Sequence, residues 1–205
     1  MKIGKVLAAL AVGALVGGVA YVGLGKANGN EDLAKVSNNT QLSGKPTKTD
    51  LVKFKLAPSN DQLAKCMPKV KVDISVALKT DATGRDIFKV DMSGAPAKTS
   101  FTIFLLQLPA SPFGAAEYIG DVNTDKYGRG HAELRLIVEE AFSSTLVGEN
   151  RVRQELNHVG MWFADPKDDD FCFGAGKGAV TPFDGDNEAG VQAFNSAKLK
   201  YAPIP

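Results

Sequence analysis

Alternation of apolar and polar residues with a period of two constrains this chain more than any other feature. Val52, Phe54 and Leu56 alternate with Lys53 and Lys55, and Val70, Val72, Ile74, Val76 and Leu78 alternate with Lys71, Asp73 and Ser75. Successive side chains of a strand point to opposite faces, so each segment reads as a strand with one buried and one solvated face. Ile87 to Met92 gives a third, with Phe88, Val90 and Met92 on one face, after a turn at Asp81-Ala82-Thr83-Gly84; Gly94-Ala95-Pro96 ends it. Residues 101–108 are apolar on both faces, Phe101, Ile103 and Leu105 against Phe104, Leu106 and Leu108. That pattern suits a central strand covered on each side, and Pro109 and Pro112 forbid its extension.

A hairpin is expected next: Tyr118 to Val122, a turn over Asn123 to Gly128, and a strand in which Ala132, Leu134, Leu136 and Val138 share a face. Further strands are read from Leu156 to Phe163 and from Gly190 to Phe194, whereas residues 139–155 have no clean period and leave room for a short helix. Short strands about ten residues apart, punctuated by 21 Gly and 10 Pro, predict an all-β domain over residues 50–205, a sandwich or barrel. The antibody pattern, with Trp soon after the first Cys, is not met, because Trp162 lies just before Cys172.

Ahead of the domain stands an address segment. Lys2 and Lys5 precede 19 uncharged residues, 6–24, and small residues follow at Gly25-Lys26-Ala27. As a helix the stretch would measure about 28 Å, close to a bilayer core. The order basic, apolar, small is that of an export signal cleaved after Ala27; the length equally suits a retained single-span anchor with the domain outside. Gly13 and Gly17 form a G-x-x-x-G spacing that would let two such helices approach closely. Residues 28–49, rich in Asn, Lys, Thr, Ser, Gly and Gln, read as a spacer unable to bury a core. Asn38-Asn39-Thr40 matches a glycosylation triplet that chance explains. An exported chain enters an oxidising compartment, so Cys66 and Cys172, the only cysteines, are expected to form a disulfide. A metal pair or a reactive thiol is disfavoured, because neither Cys has a nearby His or a C-x-x-C partner.

The formal net charge of +1 gives no reason to expect nucleic acid as a partner. Asp165, Asp168, Asp169 and Asp170 precede Cys172, and Asp184, Asp186 and Glu188 follow it. Loops joined by a disulfide would bring Asp165, Asp169, Asp184 and Asp186 together, and calcium would relieve their repulsion. Asp121, Asn123 and Asp125 have the spacing that opens an EF-hand loop, but Lys126 and Ala132 stand where Gly and the bidentate Glu belong, so a turn is expected. His131 and His158 would need adjacent strands to share a copper or zinc with Met161. Gly174, Gly176 and Gly178 around Lys177 lack phosphate-loop spacing, and no serine stands in G-x-S-x-G. Trp162, Phe171 and Phe183, with Phe163 and Phe173, concentrate aromatics near the acidic loops, as a core or as a binding platform.

The run from Val70 to Phe194 carries Gly120-Asp121, Thr124-Asp125-Lys126-Tyr127-Gly128-Arg129-Gly130, Trp162-Phe163-Ala164-Asp165-Pro166 and Thr181-Pro182-Phe183-Asp184-Gly185-Asp186. It resembles exported bacterial β-sandwich proteins of immunoglobulin-like type to which no activity is assigned. The resemblance implies an Ig-like sandwich behind one apolar helix and transfers no catalytic residue. The function expected is a non-catalytic extracytoplasmic module, membrane-anchored or secreted, that binds a protein partner or serves the envelope. The alternatives are a calcium-dependent extracellular enzyme and a subunit of a larger membrane complex.

Overall fold

The computed structural model describes residues 51–78, 85–184 and 187–205. The strands are β1 (Leu51–Pro58), β2 (Lys71–Ala77), β3 (Asp86–Ser93), β4 (Ser100–Leu106), β5 (Ala116–Asn123), β6 (Gly130–Leu136), β7 (Phe142–Val147), β8 (Asn150–Glu155), β9 (His158–Phe163), β10 (Thr181–Asp184), β11 (Asn187–Ala189) and β12 (Gln192–Asn195). Helix α1 (Asp61–Cys66) lies between β1 and β2; a 3-10 turn (Pro166–Asp169) runs into α2 (Asp170–Phe173). The address segment, residues 28–50, and the turn at Asp81-Ala82-Thr83-Gly84 lie outside the described residues. Among the described residues no helix is long and apolar enough to cross a membrane.

Eight strands form one antiparallel sheet in the order β5-β4-β9-β12-β1-β2-β3-β6. Strand β1 is the hinge of this order. Its first part pairs with β2, from Leu51 opposite Ala77 to Leu56 opposite Val72, and its end pairs with β12, Ala57 opposite Asn195 and Pro58 opposite Phe194. Two layers result, β1-β2-β3-β6 and β5-β4-β9-β12. Val72, Ile74, Val76, Phe88, Val90 and Met92 of the first layer share one core with Phe101, Ile103, Leu105, Val159, Met161, Phe163 and Phe194 of the second. The Phe101 ring lies 5.0 Å from that of Phe163 and 5.6 Å from that of Phe194. Full burial of each such side chain is worth about 1.5–3 kcal/mol. The ion pairs on the outer face, Lys55 with Asp73 and Lys89 with Glu133, are exposed and screened by water, so the core decides the fold.

The alternation of β2 and β3 is realised as expected, and β4 is covered on both sides. Its second face places Phe104 and Leu106 in a smaller cluster with Trp162 and Ala189, against which Phe113 packs. One expectation is corrected, and the stretch left open is filled. Strands β5 and β6 are not a hairpin: β5 pairs with β4 and β6 with β3, and the connection turns the corner between layers with a single bridge, Thr124 to Gly130. Thr124 Oγ1 holds that corner, accepting from Thr99 N at 2.9 Å and donating to Pro96 O at 2.6 Å. Gly128 has φ +70°, and a Cβ there would fall 2.0 Å from Ala95 O, so only glycine fits. Residues 142–155, without a period, are not helical but form a two-stranded ribbon of β7 and β8.

Asn60 caps α1, its side chain accepting from Leu63 N at 2.9 Å, and Cys66 on its last turn is bonded to Cys172 in α2 with Cα atoms 5.6 Å apart. The bond closes a separation of 106 residues. Replacing both cysteines by serine is expected to lower stability by about 2–5 kcal/mol in urea unfolding. An unchanged midpoint would mean that packing alone holds the two helices together.

Candidate functional site

The register sorts the connections into two ends. At one end Lys71, Ser93, Ser100, Asn123, Gly130 and Phe163 finish their strands; at the other stand Leu51, Ala77, Asp86, Leu106, Ala116, Leu136 and His158. The first end holds the disulfide and the acidic residues, the second the β7-β8 ribbon.

At the disulfide end, Asp165 is exposed and caps the 3-10 turn, accepting from Lys167 N at 2.8 Å, with Pro166 at the first position of the turn. Asp165, Lys167 and Glu188 line an open cleft with Ala164 and Pro166, and neither histidine is in its walls. Asp169 is fully buried. Its Oδ2 accepts from Val191 N at 2.9 Å, its Oδ1 has no hydrogen-bond partner, and Gly178 and Gly190 lie against the carboxylate. Burial pushes the Asp169 carboxyl up; burial and then the neighbouring Asp165 charge do the same to Asp168. The side chain of Asp184 and the whole of Asp186 lie outside the described residues. Among the described residues no group of three His, Cys, Asp or Glu side chains is placed to hold a metal ion.

The aromatics there divide. Trp162 is buried at 1 % exposure, its ring 5.3 Å from Phe104 and 5.0 Å from Phe113, so it packs the second core and offers no platform. Phe171 is 53 % exposed with its ring 6.2 Å from Phe163, and the Phe183 side chain lies outside the described residues. The remaining motifs resolve locally. Asp125 accepts from Tyr127 N and Arg129 N at 2.7 and 3.0 Å and pairs with the Arg129 guanidinium, which together hold its carboxyl below the usual range. Asp121 accepts from the Tyr118 hydroxyl at 2.7 Å. His131 meets Asp91 at 2.8 Å on one layer, and His158 meets Ser196 at 3.1 Å on the other, at the opposite end. Asp170 accepts from Gly176 N at 2.7 Å, so the glycine run is a turn closing on α2.

At the other end the ribbon is built from its root outwards. Asp86, buried, accepts from Val138 N at 2.7 Å and Glu139 N at 3.0 Å, fixing the chain as it leaves β6. Val138, Ala141 and Leu156 are buried in the main core, and Leu156 N donates to Ala141 O at 3.0 Å. Gln107 donates to Gln154 at 2.6 Å and accepts from Ala115 N at 3.0 Å, tying the inner face to the β4-β5 loop. Beyond the root the ribbon is bare. Val147 pairs with Asn150 across the two-residue turn Gly148-Glu149, and nothing lies within 4 Å of where a Gly148 Cβ would be. Leu146 is 65 %, Val147 59 %, Phe142 49 % and Val152 39 % exposed, with Ile137 at 60 % just below the root. Arg153 stacks 3.9 Å over the Phe142 ring and forms a two-point pair with Glu155.

Protein-family models, curated proteins and solved structures yield no match to this chain. The reading of the site therefore rests on its own geometry. The ribbon was missed in the sequence because its inward positions, Ser143, Thr145 and Gln154, are polar. The signal available was the two-residue turn Gly148-Glu149, with Thr145 and Val147 before it and Val152 after it.

Asp169 sets a pH dependence. Its folded-state pKa is raised above the unfolded value, so protonation favours the fold, and stability from this group falls as pH rises above about 4. Asn at this position retains an acceptor for Val191 N and carries no charge. Asp169→Asn is therefore expected to gain on the native protein in urea midpoint between pH 3.5 and pH 7. A variant whose relative stability falls over that interval would show that the ionised carboxylate is what the fold requires.

Proposed function

We infer that this chain is an exported, non-catalytic binding module with an immunoglobulin-like strand order, and that the β7-β8 ribbon is its contact element. The observation that carries the reading is the ribbon itself: a two-stranded projection pinned at its root by Asp86 and Gln154 that presents Phe142, Leu146, Val147 and Val152 to solvent. Single exposed apolar residues are ordinary, but four on one short ribbon mark an interaction surface. Export is supported by Lys2 and Lys5 before the apolar residues 6–24 and by the disulfide, which suits an oxidising compartment.

The crossings support the Ig-like reading. The chain passes between layers from β3 to β4, from β5 to β6 and from β6 to β9. Reading β2, β3 and β6 as strands A, B and E, and β4, β9 and β12 as C, F and G, reproduces the immunoglobulin Greek key, with β1 as an extra strand joining the layers. The disulfide joins two connecting helices instead of strands B and F. A hydrolytic reading would require a histidine beside Asp165, and neither described histidine supplies it.

A photo-crosslinking residue placed at Leu146 or Val152 of the full chain, in cells that produce it, is expected to form adducts, protein or lipid, that the same residue at Lys65 or Glu117 does not. Equal labelling from all four positions, or none from the ribbon, would remove the ribbon as the contact element.

A further inference from the structure

Unpaired N–H and C=O groups along an edge strand invite another chain, and natural edges are protected by charge, proline or a bulge. The outer strands of the main sheet have that protection. Strand β6 carries His131, Glu133 and Arg135 at alternate positions, and β5 carries Glu117 and Asp121 and shifts register opposite Ile103 and Phe104. Strand β7 has none of these devices, because Phe142–Val147 holds no charge, no proline and no glycine. Its outer edge is also open. Gly148, with φ +61°, begins a two-residue turn across which Val147 pairs with Asn150. The pair closing such a turn exchanges both hydrogen bonds, and bonded pairs alternate along an antiparallel ladder. Ser143, Thr145 and Val147 thus bond to β8, and the N–H and C=O groups of Phe142, Ser144 and Leu146 point away from it. These three residues are exposed, and among the described residues β7 has no strand partner besides β8.

This edge is complementary to itself. Antiparallel pairing with the β7 of a second copy, centred on Ser144, sets Ser144 opposite Ser144 and Phe142 opposite Leu146 in both directions. Every outward N–H and C=O group of Phe142, Ser144 and Leu146 then finds a partner on both copies. On one face the Phe142 and Leu146 side chains flank the two serines, and an aromatic residue beside an aliphatic one is a favourable cross-strand pair; on the other face Ser143 meets Thr145. Charge favours the same direction. Since Leu146 pairs with Arg151 and Phe142 with Glu155 within each ribbon, a row across the joined sheet runs Arg151, Leu146, the second copy's Phe142 and its Glu155. Opposite charges end that row. The central row ends in Arg153 on both sides, and each Arg153 is paired with Glu155 of its own chain. Strand β8 is the poorer edge, because the same construction about Arg153 sets that cation against itself. Glu149 lies in the turn, outside the paired residues, and faces the acidic root of the second copy at Glu139 and Glu140. One strand pair is also small beside the roughly 800 Å² per partner of a standard interface. The association is accordingly weak and concentration-dependent.

We propose that the ribbon's partner is a second copy of this chain, joined by antiparallel pairing of β7 with β7 in the register centred on Ser144. The proposal rests on the ribbon being the contact element and names what it contacts. Two ribbons, each marginal alone, become one four-stranded sheet about a two-fold axis.

The test uses the full chain in cells that produce it. Residues of a hydrogen-bonded antiparallel pair have Cα atoms about 5.5 Å apart, within the span of a disulfide. Ser144→Cys is therefore expected to give a disulfide-linked dimer under mild oxidation, with the bond mapped to position 144 of both chains. Leu146→Cys and Arg153→Cys, at positions that are also exposed, are expected to give none, because the register holds each at roughly 14 Å from its counterpart. Leu146→Cys produced together with Phe142→Cys is expected to give a mixed dimer that neither gives alone. Ser144→Pro removes one outward N–H and leaves the ladder to β8 intact, so adding it is expected to abolish the mixed dimer. The proposal is overturned if Ser144→Cys links no faster than Leu146→Cys, since linkage blind to register is random collision. It is overturned equally if no position links, and maleimide then separates the causes. A thiol at position 144 shielded from maleimide means that another molecule covers the ribbon, which removes the second copy and keeps the contact element. A thiol that labels freely, joined with absent photo-crosslinks, removes both readings.

Discussion

The inward faces of β2 and β3 meet those of β4 and β9 in one apolar core, and everything else in the domain is arranged to let them meet. Two layers of an antiparallel sheet leave four edges, and unpaired edges invite pairing with other chains. Here β1 removes two of them by pairing first with β2 and then with β12, while the Thr124 corner draws β5 and β6 together at the far side. The layers are thus held by continuous strand pairing on one flank, by a single bridge on the other, and between them by the one core that Val72, Ile74, Phe88 and Val90 share with Phe101, Phe163 and Phe194.

The two ends of this core are closed by opposite means. At the disulfide end the chain between β9 and β12 folds into short helical turns and a hairpin, tied to α1 by the Cys66–Cys172 bond and to β12 through the Asp169 carboxylate. At the ribbon end a second buried carboxylate, Asp86, receives two backbone N–H groups where Asp169 receives one. Both carboxylates anchor connections whose backbone donors would otherwise be buried without partners, the costly condition that a capping side chain removes. Asp169 anchors its connection at the expense of an unsatisfied oxygen.

The legible part of the fold was the part where burial is one-sided or complete. In β2 and β3 every second side chain enters the core, so the period appears in the residues themselves, and β4 carries apolar residues on both faces because Trp162 and Phe113 cover Phe104 and Leu106 on the second. Three parts were not legible. Strand partners are not encoded in alternation, so the neighbourhood of Tyr118 and Leu134 suggested a hairpin where the chain in fact changes layers. The helices α1 and α2 are too short to show a helical period. Of the candidate site residues, Cys66 and Cys172 were legible from compartment chemistry. Trp162 was not, since a large aromatic beside an acidic loop reads alike whether it faces inwards or outwards.

The ribbon escaped notice for the reason that makes it informative. A two-stranded hairpin is marginal on its own in water, and in this one Ser143, Thr145 and Gln154 are half-buried while Leu146 on one face and Val147 and Val152 on the other stay exposed. That is the reverse of what burial alone would select. Its order comes from the root, through Asp86, the Gln107–Gln154 bond and the buried Leu156, so the strands need no apolar face of their own to hold together. Apolar residues freed from a packing duty and held on a rigid support are costly to solubility unless something else covers them.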